Sequence, residues 1–327
     1  MQRVAIIGAG GMAGTHGASY GKIPNAKPVA VVDVDPEAAK KLADTIGAEA
    51  FTDFDRMIAE ANPDIVDVCT PTNFHKGYVL QAAKAGKHVI CEKPMAPSLA
   101  DCREMIDATK SAGVKFMVAH VLRFFPEYAA LKAQVDAGAV GKPAVIRSTR
   151  GGSFPGRWYL NAEQSGGVCL DLILHDFDWL LWTFGPAERV YAKGLTPRLK
   201  ELGMDYALVT IRFKSGAIAH VEGNWAYSTR GWATSVEIAG DKGLLDVSNA
   251  QSISLITNKK SEDGKREFIP ESPTTVAPYA AELQHFIDCV ESGTEPSITP
   301  ESSFRAVEIA VSAVESMRTG QPVQVGG

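Results

Sequence analysis

The stretch Val4-Ala5-Ile6-Ile7-Gly8-Ala9-Gly10-Gly11-Met12-Ala13-Gly14 runs a short apolar segment directly into a glycine-rich turn. Its first half reads as a buried strand and its second as the opening of a helix. Gly8, Gly10 and Ala13 fill a GxGxxA pattern, with Gly11 and Met12 in between. Small residues at a strand-turn-helix junction let a pyrophosphate approach main-chain N–H groups at the helix N-terminus. The glycines alone are a weak signal, because turn glycines are common. Asp33 strengthens it, lying 20 residues beyond Ala13 at the end of the next apolar run, Val29 to Val32. A carboxylate there accepts hydrogen bonds from an adenosine ribose. It also repels a 2′-phosphate, and Val34-Asp35-Pro36 supplies no arginine to offset that, so NAD is expected and NADP is less suited.

Outward from this turn, short apolar runs alternate with helical patterns: Val4 to Ile7, Val29 to Val32, a short segment near Ala50, Ile65 to Cys69, His88 to Cys91 and Lys115 to Ala119. Alternation of this kind predicts parallel strands joined by crossover helices. Asp35-Pro36 and Ser98 with Asp101 read as helix starts, Gly86 and Gly113 as stops. After residue 120 comes a helix from Pro126 to about Ala137, then longer alternating runs split by tight turns. Tyr206 to Phe213 with Ala217 to Tyr227, and Val236 to Ala239 with Leu244 to Val247, read as hairpins. Helices are expected from Val168 to Trp182, Tyr279 to Ser292 and Glu301 to Arg318. The expected fold is α/β, with a doubly wound Rossmann domain over residues 1–121. Residues 122–327 then form an α+β domain with a large, mainly antiparallel open sheet, for substrate binding and oligomerisation.

A chain of 327 residues suits two such cores. Its formal charge of -5 and the absence of Lys/Arg runs argue against nucleic acid or an anionic membrane as partner. Five cysteines without a CxxC suggest neither disulfides nor a zinc knuckle. With an opening strand in place of a secretory leader, a cytoplasmic protein is expected.

Two loops fall at the carboxyl edge of the predicted sheet, where open α/β sheets bind ligands: Thr70-Pro71-Thr72-Asn73-Phe74-His75 and Cys91-Glu92-Lys93-Pro94. An ammonium at Lys93 is placed to polarise a substrate hydroxyl or carbonyl; spacing alone equally allows a solvated loop lysine. Asp171 and His175, four apart beside the apolar Leu170, Leu174, Phe177 and Leu181, are expected on one helix face. Either His175 is a general base oriented by Asp171, or the pair is packed and satisfied beneath a sheet. No third ligand accompanies Asp171/His175 or His220/Glu222, so no metal site is expected. Trp158, Tyr159, Trp225, Tyr227 and Trp232 read as a sugar-facing wall or as ordinary core aromatics.

Taken together, Glu92-Lys93-Pro94, Thr70 to His75, Arg123-Phe124-Phe125-Pro126-Glu127-Tyr128 and Gly166-Gly167 followed by Asp171 and His175 closely resemble the glucose-fructose oxidoreductase / inositol dehydrogenase / MocA family. The resemblance spans Gly8 to His175 and is diffuse beyond. It implies Lys93, Asp171 and His175 as a catalytic triad at the nicotinamide, with a cis bond at Lys93-Pro94. It also implies cofactor contacts from Thr70, Pro71, Asn73, His75, Glu92 and Arg123, beside those of the glycine turn and Asp33. The sequence departs where many members carry Asn two positions before the arginine; here Val121 stands there, next to His120. Substrate contacts are expected from Lys93, His120, Trp158, Tyr159, Asp171 and His175. The implied activity is hydride transfer between a secondary hydroxyl of a sugar or cyclic polyol and NAD, in a homo-oligomer (dimer or tetramer) paired through the second-domain sheet. An NAD-dependent glycosidase acting by transient oxidation and a non-catalytic NAD sensor are the rival readings.

Overall fold

The computed structural model describes residues 1–156, 159, 165–195, 205–226, 232–249 and 277–326. Trp158 and Tyr227 lie outside the described residues.

The first domain runs β1 (Gln2–Ile7), α1 (Gly11–Tyr20), β2 (Ala26–Val32), α2 (Pro36–Ile46), β3 (Glu49–Phe51), α3 (Phe54–Ala61), β4 (Ile65–Val68), α4 (His75–Lys84), β5 (His88–Glu92), α5 (Leu99–Ser111) and β6 (Phe116–Ala119). All strands are parallel, in the order β3-β2-β1-β4-β5-β6, the doubly wound topology expected. Local chemistry agrees with it. Asp35 caps α2 by accepting from the N–H groups of Glu37 and Ala38, Pro36 occupies its first turn, and Gly47 closes it in the left-handed conformation. Ser98 caps α5 through the Asp101 N–H.

Register decides where the loops go. Ile7 pairs with Val32 on one side and Val68 on the other, Val68 with Cys91, and Cys91 with Val118. The strands therefore end level, and Gly8, Asp33, Cys69, Glu92 and Ala119 emerge along one edge. Gly8 has φ +98, and a Cβ there would lie 2.9 Å from the Cys69 carbonyl oxygen, so only glycine fits where the chain leaves β1.

The second domain follows with α6 (Pro126–Asp136), β7 (Pro143–Gly151), α7 (Leu174–Phe184), β8 (Ala187–Leu195), β9 (Tyr206–Phe213), β10 (Ile218–Asn224), β11 (Ala233–Gly240), β12 (Leu244–Ser248), α8 (Pro278–Ser292), α9 (Pro300–Thr319) and β13 (Val323–Gln324). Its seven-stranded sheet has the order β12-β11-β7-β10-β9-β8-β13 and is antiparallel except for the β7/β10 pair. Both expected hairpins form. Strand β7 is poorly legible in the sequence because its inward positions include Ser148 and Arg150, which bond to the buried Asp176 of α7 instead of packing as apolar residues.

Two departures bear on the site. The helix expected over 168–182 is not continuous: Val168–Leu172 forms a π-helical turn, closed by the Ile173 N–H to the Val168 carbonyl at 3.0 Å, and α7 starts after it. The wider turn changes the angular step between Asp171 and His175 from the α-helical value. Second, α8 returns to the first sheet, where Leu283, Phe286 and Ile287 share a core with Val4, Ile6, Ile65, Ile90 and Met117. The chain's last third thus also covers the dinucleotide half.

Candidate active site

The glycine turn is tied to β2 by Asp33. Its Oδ2 accepts from the Ala9 N–H at 2.7 Å and its Oδ1 from the Asp35 N–H at 2.9 Å. A Cβ built on Gly10 or Gly11 would meet nothing within 4 Å, so open space lies over the start of α1. The Thr70 hydroxyl, at the same edge, is buried without a hydrogen-bond partner among the described residues. Open space at a helix N-terminus, a neighbouring carboxylate and an unpaired buried hydroxyl fit a dinucleotide with its pyrophosphate at Gly10 and Gly11 and its ribose at Asp33.

Lys93 follows β5, and its peptide bond to Pro94 is cis. Its Nζ donates to the Asp171 carbonyl oxygen at 2.8 Å and to Asp171 Oδ1 at 2.9 Å. This bridge joins the two domains and puts the ammonium where their elements meet. The side chains remain 15% and 12% exposed, so the pair keeps some contact with solvent.

Asp171 therefore holds Lys93 and not His175, which corrects the expected division of labour. No hydrogen bond joins Asp171 to His175 among the described residues, and His175 Nδ1 is buried without a partner. Burial, then the positive charges of Lys93 and Arg150, hold the imidazole well below its ordinary range. It stands neutral, able to accept a proton. His120 is also buried, with both ring nitrogens unpartnered among the described residues and Nδ1 3.9 Å from Asp178 Oδ2. Burial lowers it to about 4. Burial raises the Tyr159 hydroxyl, with Asp171 and then Glu92 adding to the shift, so this ring stands near the same carboxylates. Its ring also packs edge-on against buried Trp225, 5.7 Å away.

Three expected cofactor contacts have other employment. His75 is buried between the two edge loops, with Nδ1 2.8 Å from the Pro94 carbonyl and Nε2 2.9 Å from the Thr70 carbonyl; burial lowers its pKa, and the neutral ring donates to one of the two. Arg123 is buried against Asp178, to which it donates from Nε at 2.7 Å and from Nη2 at 2.5 Å, with Ser297 and Ser302 taking further N–H groups. Its guanidinium ties α7 and α9 to the segment that follows β6. Glu92 is buried; Oε2 accepts the Lys93 N–H at 3.0 Å while Oε1 lies 3.0 Å from His16 Nε2. Pro71 precedes and Asn73 lies inside the short turn Thr72–Phe74 before α4, close in sequence to Thr70 at the sheet edge.

A buried polar group went unread in the sequence. His16, inside α1, places Nδ1 2.9 Å from Asp67 Oδ2, and Tyr20 donates to that oxygen at 2.9 Å. Cys69 Sγ donates to Asp67 Oδ1 at 3.3 Å. Ligand atoms of His16, Asp67 and Cys69 all lie within 4.8 Å of one another, but each is already bonded within the group. Glu282 of α8 is wholly buried, its carboxyl unpartnered among the described residues and pushed well above the carboxylate range by burial and then by Glu92. Polar residues on otherwise apolar patterns were the available signal.

Two family models cover the chain. One, described as an oxidoreductase family with an NAD-binding Rossmann fold, matches residues 2–120; the other, its C-terminal alpha/beta domain, matches residues 132–325. The chain belongs to the Gfo/Idh/MocA oxidoreductase family. It is 32% identical to the myo-inositol 2-dehydrogenase of Thermotoga maritima, over 99% of this chain and 98% of that one. It is 31% identical to the scyllo-inositol 2-dehydrogenase (NAD(+)) of Bacillus subtilis, over 99% and 96%. Among solved structures, GenD2 from gentamicin A biosynthesis, in complex with NAD, superposes with a TM-score of 0.90 at 26% identity, covering 100% of this chain and 97% of that one. As a Gfo/Idh/MocA member the chain is an NAD-dependent oxidoreductase.

Proposed function

We propose that this Gfo/Idh/MocA protein oxidises a secondary hydroxyl of a sugar or cyclic polyol, with Lys93, Asp171 and His175 carrying the chemistry. The observation behind the reading is the Lys93 ammonium held on Asp171 at the domain junction, next to a neutral His175. NAD, when bound, supplies the hydride acceptor. His175 takes the hydroxyl proton, and its depressed basicity keeps the ring unprotonated and ready. Lys93 stabilises the oxygen as negative charge develops on it, and Asp171 keeps the ammonium from swinging away. His120 and Tyr159 line the substrate side. Relatives with inositol and 1,5-anhydro-D-fructose in their names support a ring bearing several hydroxyls.

Five free cysteines, all buried, suit a reducing compartment such as the cytoplasm. No described helix is long and apolar enough to cross a membrane. Copies are proposed to pair through the outer face of the seven-stranded sheet, where Leu208 and Ile218 are exposed; light scattering of the purified chain decides this.

The test of function is a panel of inositols, aldoses and nucleotide sugars assayed for stoichiometric NADH release. Sustained release with a polyol or sugar is expected. Glycosidic cleavage without net NADH would favour the transient-oxidation route, and NAD binding with no turnover of any kind would favour a sensor.

A further inference from the structure

His16 sits in the helix that opens at the glycine turn, and it is wholly buried. Its ring stands between two carboxylates: Nδ1 is hydrogen-bonded to Asp67 at 2.9 Å, and Nε2 lies 3.0 Å from Glu92 in an ion-pair contact outside hydrogen-bond geometry. Burying an imidazole with two acids costs several kcal/mol unless charge contacts offset it, and apolar residues of equal volume are often as stable or more so. Packing alone therefore does not account for the group.

What the group holds is the main chain of the catalytic lysine. Glu92 Oε2 accepts the Lys93 N–H at 3.0 Å, while the neighbouring Pro94 carbonyl lies 2.8 Å from His75 Nδ1. The Lys93 main chain is thus anchored by Glu92, with the His75 ring packed against the following carbonyl, before its Nζ reaches Asp171. A displacement of about 1 Å in a catalytic group costs on the order of 100-fold in rate, so the backbone anchor matters as much as the side-chain one. His16 and Lys93 draw the Glu92 carboxyl below its usual range against the effect of burial, and Glu282 repels it, so His16 is the attractive contact that does not come from the lysine itself.

We infer that His16 is a positioning residue for Lys93, acting through Glu92 and so tying the helix that seats the dinucleotide to the lysine that works on the substrate. This rests on the function proposed above.

Half-mimics of the ring separate the two contacts. Asn at position 16 keeps an amide near Nδ1, within reach of Asp67 but not of Glu92; Gln keeps one near Nε2, within reach of Glu92. His16→Asn is expected to lower kcat about 10- to 100-fold with NADH affinity, read by fluorescence, changed by less than about twofold. His16→Gln is expected to keep kcat within about threefold. Pulsed acetylation of Lys93, read by mass spectrometry, is expected to rise several-fold in His16→Asn and not in His16→Gln. Added to Lys93→Met, His16→Asn should lower the residual rate no further, because its effect passes through the lysine. Equal behaviour of the Asn and Gln variants, or an undiminished penalty in the Lys93→Met background, overturns the inference.

If both His16 variants fail to fold, Glu92→Gln substitutes: it preserves shape but removes the charge contact. Raised Lys93 labelling is then expected, and unchanged labelling overturns the inference. Labelling needs no substrate, so a failed substrate screen would sink the proposed function while leaving this question decided.

Discussion

Replacing Lys93 by Met keeps the length and apolar stem of the side chain and removes only the ammonium. Two costs follow from the geometry. In the reaction, the loss is one preorganised charged donor at the developing oxyanion, worth about 2.7–4 kcal/mol or a 10²- to 10³-fold fall in kcat. In the fold, the Asp171 carboxylate, 12% exposed, loses the ammonium 2.9 Å away. Fully buried pairs lose about 3–5 kcal/mol when one partner is removed and exposed pairs less than about 1, so a largely buried pair with some solvent access is placed near 2 kcal/mol. At roughly 2–4 °C per kcal/mol for a chain of this order of size, Tm falls by about 4–8 °C. The assays are steady-state NADH release, NADH binding by fluorescence and thermal unfolding. Adding Asp171→Asn removes the stranded charge and should restore part of the Tm with no recovery of rate. A Lys93→Met enzyme within about tenfold of wild-type kcat would refute the reasoning, since no lost donor of this kind costs so little.

Asp33→Ala should raise the KM for NAD about tenfold or more, the value of charge-assisted ribose hydrogen bonds, and narrow the preference for NAD over NADP in initial-rate assays. Because burial and nearby positive charge hold His175 well below its ordinary value, log kcat/KM should stay flat from about pH 7.5 down to about pH 6, and an acid limb centred near 6.5 would contradict its assignment as base. His120 makes acid destabilising: its folded value of about 4 lies below the unfolded one, so its contribution is complete above about pH 6.5 and is lost as pH falls toward 4. The loss from pH 7.5 to pH 5 is about 2 kcal/mol, so His120→Gln should show a smaller drop in unfolding free energy over that interval, measured by urea denaturation.

The first domain was legible because its local and global signals coincide. A strand, a turn that admits only glycine at Gly8, a helix and an acid at Asp33 follow one another closely, and parallel register then brings distant loops to one edge. Type and spacing leave Lys93, Asp171 and His175 open between a site and ordinary loop or core residues, and it is the family resemblance that implies them as a triad. Their connectivity was not legible, because an α-helical period was applied across a π-helical turn. The resemblance implies His75, Glu92 and Arg123 as cofactor contacts, and a sequence motif looks the same whether such a side chain faces a ligand or bonds within the protein, as these three do. Strand β7 hid behind Arg150, whose partner Asp176 is 26 residues away. His16, Asp67 and Glu282 could not be grouped at all, since they meet only through the packing of α1 and α8 on β4.

The central claim is that hydride leaves a carbinol carbon held between Lys93 and His175 and ends on the nicotinamide. Its most direct test is a single turnover with NAD and a substrate from the panel deuterated at the oxidised carbon, with the cofactor recovered and weighed by mass spectrometry. One deuterium per NADH is predicted, with a matching ketone product. A reduced cofactor without deuterium, or product formed with the cofactor unchanged, would contradict the account.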